Sequence, residues 1–162
     1  MTLELEMTLA EALVERKALK ERLDSLKGRL AANARVQDGD TPTEAPAELM
    51  EQVSAVIADL EQLIVAINRT NLTARLPGEE GWSLMEAIAR RDMLTLHGTV
   101  LQGTIGAARI TRDQWAMTHT EVRSVLAVDV AGLQRQLDAL AKERRQLDLR
   151  LQAANWSIRL DE

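Results

Sequence analysis

Positions that are mostly apolar recur in alternating steps of three and four along four stretches of the chain, the spacing of a heptad repeat. On a helix this spacing places the apolar side chains on one side. In the first stretch these positions are Leu9, Ala12, Arg16, Leu19, Leu23, Leu26, Leu30 and Asn33, and in the second they are Leu49, Val53, Val56, Leu60, Leu63, Ile67, Thr70 and Ala74. In the third they are Leu84, Ala87, Arg91, Leu94, Gly98, Leu101, Ile105 and Ala108, and in the fourth Val130, Leu133, Leu137, Leu140, Arg144, Leu147, Leu151, Ala154 and Ile158. The pattern predicts four long amphipathic helices.

Capping chemistry marks where three of these helices begin. Thr8 and Ser83 are each followed three residues later by a glutamate, the spacing of a capping box. Asp129 precedes the fourth apolar series and can act as its N-cap. We therefore expect helices to start next to these three residues.

Proline and glycine mark the breaks between the helices. The stretch 38–46 contains two prolines and Gly39, which suits a C-terminal helix cap, and the stretch 77–81 contains a further Pro-Gly pair. Because short connections favour antiparallel neighbours, we predict an all-α fold, an antiparallel bundle of four long helices with coiled-coil-like heptad seams. We expect one domain over 1–162, divided into an extension over 1–7, helices over 8–37, 46–76 and 83–108, an irregular excursion over 109–128 and a last helix over 129–160.

More apolar side chains occur than four packed helices can readily cover. The second helix carries a further stripe, and the last helix carries large apolar residues outside its main series. The stripe consists of Met50, Ile57, Ile64 and Asn71, and the other set of Leu149, Trp156 and Leu160. We predict that the chain forms a homo-oligomer, at least a dimer.

Composition restricts the range of partners. The net charge is −5, and the chain has three tryptophans but no phenylalanine, tyrosine or cysteine. It therefore lacks both a positive field and a stacking platform for nucleic acid, which argues against a nucleic-acid partner. The acidic start has no signal-peptide pattern, and the longest apolar stretch, near Leu60, contains Glu61, which argues against a membrane span. We expect a cytoplasmic protein.

Polar residues at or beside the apolar series form the candidate site. Burying such groups costs several kcal/mol unless each finds a partner. They could form a buried layer that fixes helix register, keep their charged ends in water, or line a ligand cavity. The set comprises Asn33, Asn68, Asn71, Arg91, Asp92, Arg144, Asp148, Gln152 and Asn155.

Catalytic and metal chemistry has little support in the residue types. Two histidines and no cysteine leave too few ligands for an ordinary zinc site, and no Glu-x-x-His motif occurs. We predict no metal and no cofactor, and we assign no catalytic residue. Arg91, Asp92 and His97 resemble the Arg-polar-x4-His motif of the HEPN superfamily of all-helical, usually dimeric ribonucleases. That resemblance implies metal-independent RNA cleavage with His97 in acid–base work and Arg91 holding phosphate.

A wider resemblance covers nearly the whole chain from Met7. The segments 9–17, 67–71, 89–92 and 144–156 together resemble a bacterial and actinobacterial family of unknown function, some members of which carry the label septicolysin. The resemblance implies a soluble all-helical protein without an established activity. The sequence thus predicts an oligomeric structural or protein-interaction role, with a ribonuclease, a small-ligand binder or a cytolysin as alternatives.

Overall fold

The structure, a computed structural model, describes residues 7–78, 81–109 and 125–160. It contains four α-helices: α1 (Leu9–Asn33), α2 (Pro46–Thr73), α3 (Leu84–Arg109) and α4 (Val130–Ser157). Within these three ranges there is no strand, only two isolated bridges. The predicted all-α class with four long helices is confirmed. Most of the predicted excursion, residues 110–124, lies outside the described residues, and residues 125–129 lead into α4 without helical structure.

Two of the predicted N-terminal caps form as expected. The Thr8 hydroxyl accepts a hydrogen bond from the Glu11 backbone N–H at 3.3 Å, and the Glu11 carboxylate accepts from the Thr8 N–H at 2.7 Å. The Asp129 carboxylate accepts from the Gly132 backbone N–H at 2.9 Å, which satisfies the first turn of α4. Both caps depend on residues three apart, so sequence spacing alone identifies them.

The end of α1 differs from the prediction. The helix ends at Asn33 with Ala34 as its C-cap, four residues before the expected end at residue 37. The Asn33 side chain donates to the Arg29 carbonyl at 2.9 Å and accepts from the Glu44 N–H at 3.0 Å, so it joins the helix end to the connection. The predicted cap role of Gly39 is wrong. That glycine lies in the connection with φ of 90°.

The chain divides into two compact units, and the first comprises residues up to Leu84 together with those from Gln152 onward. In this unit α1 and α2 pack against each other. The hydrogen bond between Asn33 and Glu44 places the end of α1 beside the start of α2. Since the two helices also pack side by side, they run antiparallel. Leu26, Leu49 and Leu63 are among the buried side chains of this core. The predicted inward positions of both helices are all buried or half-buried.

The two ends of the described chain meet in this first unit. The Leu9 N–H donates to the Ile158 carbonyl at 2.9 Å, and the Leu160 N–H donates to the Met7 carbonyl at 3.0 Å. Leu160 is buried here, so its prediction as one of the apolar residues left uncovered on the last helix, with Leu149 and Trp156, is wrong. Leu149 and Trp156 of that set are exposed.

The second unit comprises Met85–Leu151, and in it α3 and α4 run antiparallel. Arg90 on α3 pairs with Glu143 on α4, and a methyl group on Gly98 would lie 3.6 Å from Cδ1 of Leu137. Of all the predicted inward positions on α3 and α4, Arg144 alone is exposed. In the part of the chain that the structure describes, no helix combines the length and the apolar content that a membrane span needs.

Candidate functional site

None of the nine polar residues proposed from the sequence is buried. Asn33, Asn71, Arg91, Asp148 and Asn155 are half-buried, and Asn68, Asp92, Arg144 and Gln152 are exposed. Each of them therefore keeps some contact with water, and the desolvation cost that made them notable is reduced. In the described ranges the buried polar residues are Thr70 and Ser83, and the Thr70 hydroxyl donates to the Ala66 carbonyl at 2.9 Å.

Three of the nine meet in the second unit. The Arg91 guanidinium donates to the Asp92 carboxylate at 2.8 and 2.9 Å, and its Nε lies 4.0 Å from the Asp148 carboxylate. The side chains are 35–55% exposed, so the pairs contribute little to stability. Two carboxylates beside one guanidinium leave Arg91 without the net positive charge that a phosphate site needs.

His97 does not join this cluster. Its side chain is exposed and makes no hydrogen bond or ion pair with any other residue that the structure describes. On α3 it lies about 120° around the helix from Arg91, as the six-residue spacing predicts. The two residues of the ribonuclease motif therefore occupy different environments.

A shallow groove lies between α3 and α4 in the second unit. Its volume is about 230 Å³, and Arg144 is the charged residue that lines it. The hydroxyls of Thr95 and Thr99 also line it but donate to the Arg91 and Thr95 carbonyls, at 3.1 and 3.0 Å. The volume is below the roughly 300–1,000 Å³ of typical ligand pockets. Among the described residues no group of carboxylates and histidines could hold a metal ion.

The more distinctive feature of the second unit is the solvent-exposed side of α3, here called the outer face. It lies opposite the buried side of this helix, which carries Leu94, Leu101 and Ile105. The outer face consists of Met85, Ala89, Met93, Leu96, Val100, Gly103 and Ala107, all of them exposed.

The outer face is apolar along its whole length and carries no charged residue. Its four largest side chains, Met85, Met93, Leu96 and Val100, are 50–58% exposed. With a rise of about 1.5 Å per residue it extends over about 33 Å. A continuous apolar strip of this length on a helix is typical of a surface that packs against another helix.

Gly103 lies within the outer face. Glycine in a helix interior costs about 1 kcal/mol relative to alanine. A Cβ at Gly103 would meet no atom within 4 Å, so the packing of the chain itself does not require glycine there. A second helix packed closely on the outer face would provide a reason for it.

Other exposed apolar side chains are less continuous. On α2, Met50 and Ile57 of the predicted stripe are exposed, whereas Ile64 and Asn71 are half-buried. The charged Glu61 lies between Ile57 and Ile64 on the same side, and covering it would require a partner for its carboxylate. On α3 the carboxylate that borders the outer face, Asp92, is already paired with Arg91.

Reasoning from the sequence did not identify the outer face. Helix 3 has two apolar series, and the series that contains Leu84 and Leu101 accounts for its buried side. The second series begins at Met85, alternates steps of four and three from Ala89 to Ala107, and was the available signal. The sequence correctly predicted that the first series faces inward; what it did not show is that the second series stays exposed.

The fold and the outer face define a class: all-α proteins with an exposed apolar helix surface and no recognisable catalytic cluster among the described residues. Residues 16–160 match a family of unknown function, DUF6847, and the chain belongs to that family. A similar structure is the crystal structure of a functionally unknown conserved protein from Corynebacterium diphtheriae, with 32% sequence identity and a TM-score of 0.81. The match covers 96% of this chain and 99% of that one. No curated protein matches.

These comparisons confirm the resemblance at the level of a family of unknown function with an actinobacterial relative. Neither of them carries the septicolysin label.

Proposed function

We propose that this protein is a structural or protein-interaction protein that associates with itself through the outer face of α3. The observation that supports the proposal is that α3 has two apolar sides. The chain itself covers one side, and the other side, the outer face, is exposed. Removing apolar surface from water is the main driving force for protein association. A second protein surface would cover what the chain leaves exposed.

The size of the outer face indicates weak association. A strip about 33 Å long and about 10 Å wide has an area on the order of 300 Å² in each copy. Two such strips bury less than the roughly 1,200 Å² of a standard stable interface. We therefore expect a reversible complex with a Kd in the micromolar range.

The alternatives have less support from the geometry. A ribonuclease would use Arg91 to hold phosphate, yet Arg91 is already paired with Asp92. A small-ligand binder would use the groove beside Arg144, and that groove is smaller than typical ligand pockets.

Analytical ultracentrifugation over a range of protein concentrations tests the proposal. The wild type should show a mass that rises from 18.0 kDa toward a multiple of it. Leu96→Glu places a charge in the outer face and should weaken association at least about tenfold. The matched control is Val14→Glu, which adds the same charge at an exposed apolar position on α1 and should leave the mass curve unchanged.

Two results would contradict the proposal. One is a mass of 18.0 kDa for the wild type at every concentration. The other is association that the substitutions at Leu96 and Val14 weaken equally, since the outer face would then have no special role.

A further inference from the structure

The positions of the outer face from Ala89 to Ala107 are spaced symmetrically. The steps between Ala89, Met93, Leu96, Val100, Gly103 and Ala107 are four, three, four, three and four residues. This order is the same in both directions along the helix. An antiparallel copy of α3 therefore presents an apolar residue at each of these six levels, and Met85 lies beyond the contact.

Side-chain sizes also match in this arrangement. In an antiparallel pair, Met93 lies opposite Gly103 of the second copy, and Leu96 lies opposite Val100. Ala89 lies opposite Ala107, so both ends of the contact are small and the helices can approach closely. A long, flexible methionine next to a glycine fills the space that the missing side chain leaves.

We infer that the partner of the outer face is a second copy of this chain, bound through α3 in antiparallel orientation with a two-fold axis near the middle of the helix. The inference rests on the proposed self-association and names the segment and orientation that produce it. A two-fold interface uses the same surface on both copies, which is what a symmetric spacing provides.

A parallel pair would pack less well. It would place Met93 against Met93 and Gly103 against Gly103, so that one level is overfilled and another is left with a void. The antiparallel pair has neither defect.

The charges beside the outer face are compatible with the antiparallel pair. Arg90 and Asp92 flank the strip on opposite sides. In the antiparallel pair they lie near Thr104 and Gly106 of the second copy, which are uncharged. Like charges at these flanking positions therefore do not oppose each other.

Single-cysteine variants test the orientation, because the chain has no cysteine of its own. Leu96→Cys and Val100→Cys are prepared separately, mixed in equal amounts and oxidised. In such a mixture roughly half of the dimers contain one copy of each variant. The mixture should form a disulfide-linked dimer on a non-reducing gel, and each variant alone should form far less of it. Met93→Cys with Gly103→Cys is a second pair expected to behave in the same way.

The outcomes separate this inference from the proposal on which it rests. Strong cross-linking of each single variant with itself would indicate a parallel pair and overturn the inference. Absence of cross-linking in all samples, although the wild type associates, would place the contact elsewhere and also overturn it. A wild type that remains a monomer would remove the proposed self-association itself.

A second experiment tests the fit of Met93 against Gly103. Gly103→Leu fills the expected recess and should raise the Kd for association at least about tenfold. The folded monomer should tolerate this change, since no atom lies within 4 Å of a Cβ at that position. Gly28→Leu is the matched control, with equally open surroundings on α1, and should leave the Kd unchanged. A Kd that Gly103→Leu does not change would contradict the predicted pairing.

Discussion

At the scale of single residues, Glu44 joins the connection after α1 to the helix itself. Its carboxylate accepts hydrogen bonds from the Arg29 guanidinium, including one from Nε at 3.0 Å, and its backbone N–H donates to Asn33. The hydrogen bond from Arg29 lowers the pKa of Glu44 below its ordinary value, and the same bond raises the pKa of Arg29. The interaction depends on Glu44 being ionised.

This pairing predicts a pH-dependent effect of Glu44→Gln. A carboxylate whose pKa is lower in the folded state stabilises the fold above its unfolded pKa, and the stabilisation is lost as pH falls through the folded pKa. Glu44→Gln should therefore lower the free energy of unfolding at neutral pH. The difference from the wild type should shrink as pH falls below about 4.5, the ordinary value.

Urea unfolding at neutral and acidic pH measures this difference. Glu51→Gln, an exposed glutamate of α2, is the control and should have little effect at either pH. The prediction is wrong if the loss caused by Glu44→Gln is the same above and below pH 4.5.

At the scale of secondary-structure elements, the buried side of α2 provides much of the core of the first unit. Leu49, Val56, Leu63 and Ile67 are all at most 2% exposed. The polar residue among them, Thr70, is satisfied by the carbonyl of its own helix. The pair formed by α1 and α2 is therefore held mainly by apolar burial.

Two truncations on α2 should differ sharply in their effect on stability. Leu63→Ala removes a buried side chain and leaves a cavity, which should cost about 2–5 kcal/mol. Val65→Ala lies two residues away, is half-exposed, and should change the free energy of unfolding by less than about 0.5 kcal/mol. Denaturant unfolding of both variants checks the difference, and comparable losses would mean that this side of α2 is not the core.

At the scale of the whole molecule, self-association links stability to concentration. A complex that forms only from folded chains stabilises the folded state by mass action. Association through the outer face of α3 would therefore raise the temperature of thermal unfolding.

We predict that the Tm of the wild type rises with protein concentration across the micromolar range. The Tm of Leu96→Glu should rise much less with concentration, because that variant associates more weakly. Scanning calorimetry at several concentrations measures both. A concentration-independent Tm for the wild type, or the same rise in the variant, would contradict this prediction.

The local features of this protein were determined by its sequence. The four helices follow from the apolar period, and the caps at Thr8 and Asp129 follow from residues three apart. Such features depend on neighbours along the chain, so their signals are present in any short segment.

Only the tertiary structure decided what each side of a helix faces. It showed that α1 ends at Asn33, that the nine polar residues of the predicted layer keep contact with water, and that Leu160 is covered. It also showed that the second apolar series on α3 stays exposed and forms the outer face. These outcomes depend on groups distant in sequence, because burial is a property of the packed chain rather than of the spacing within one helix.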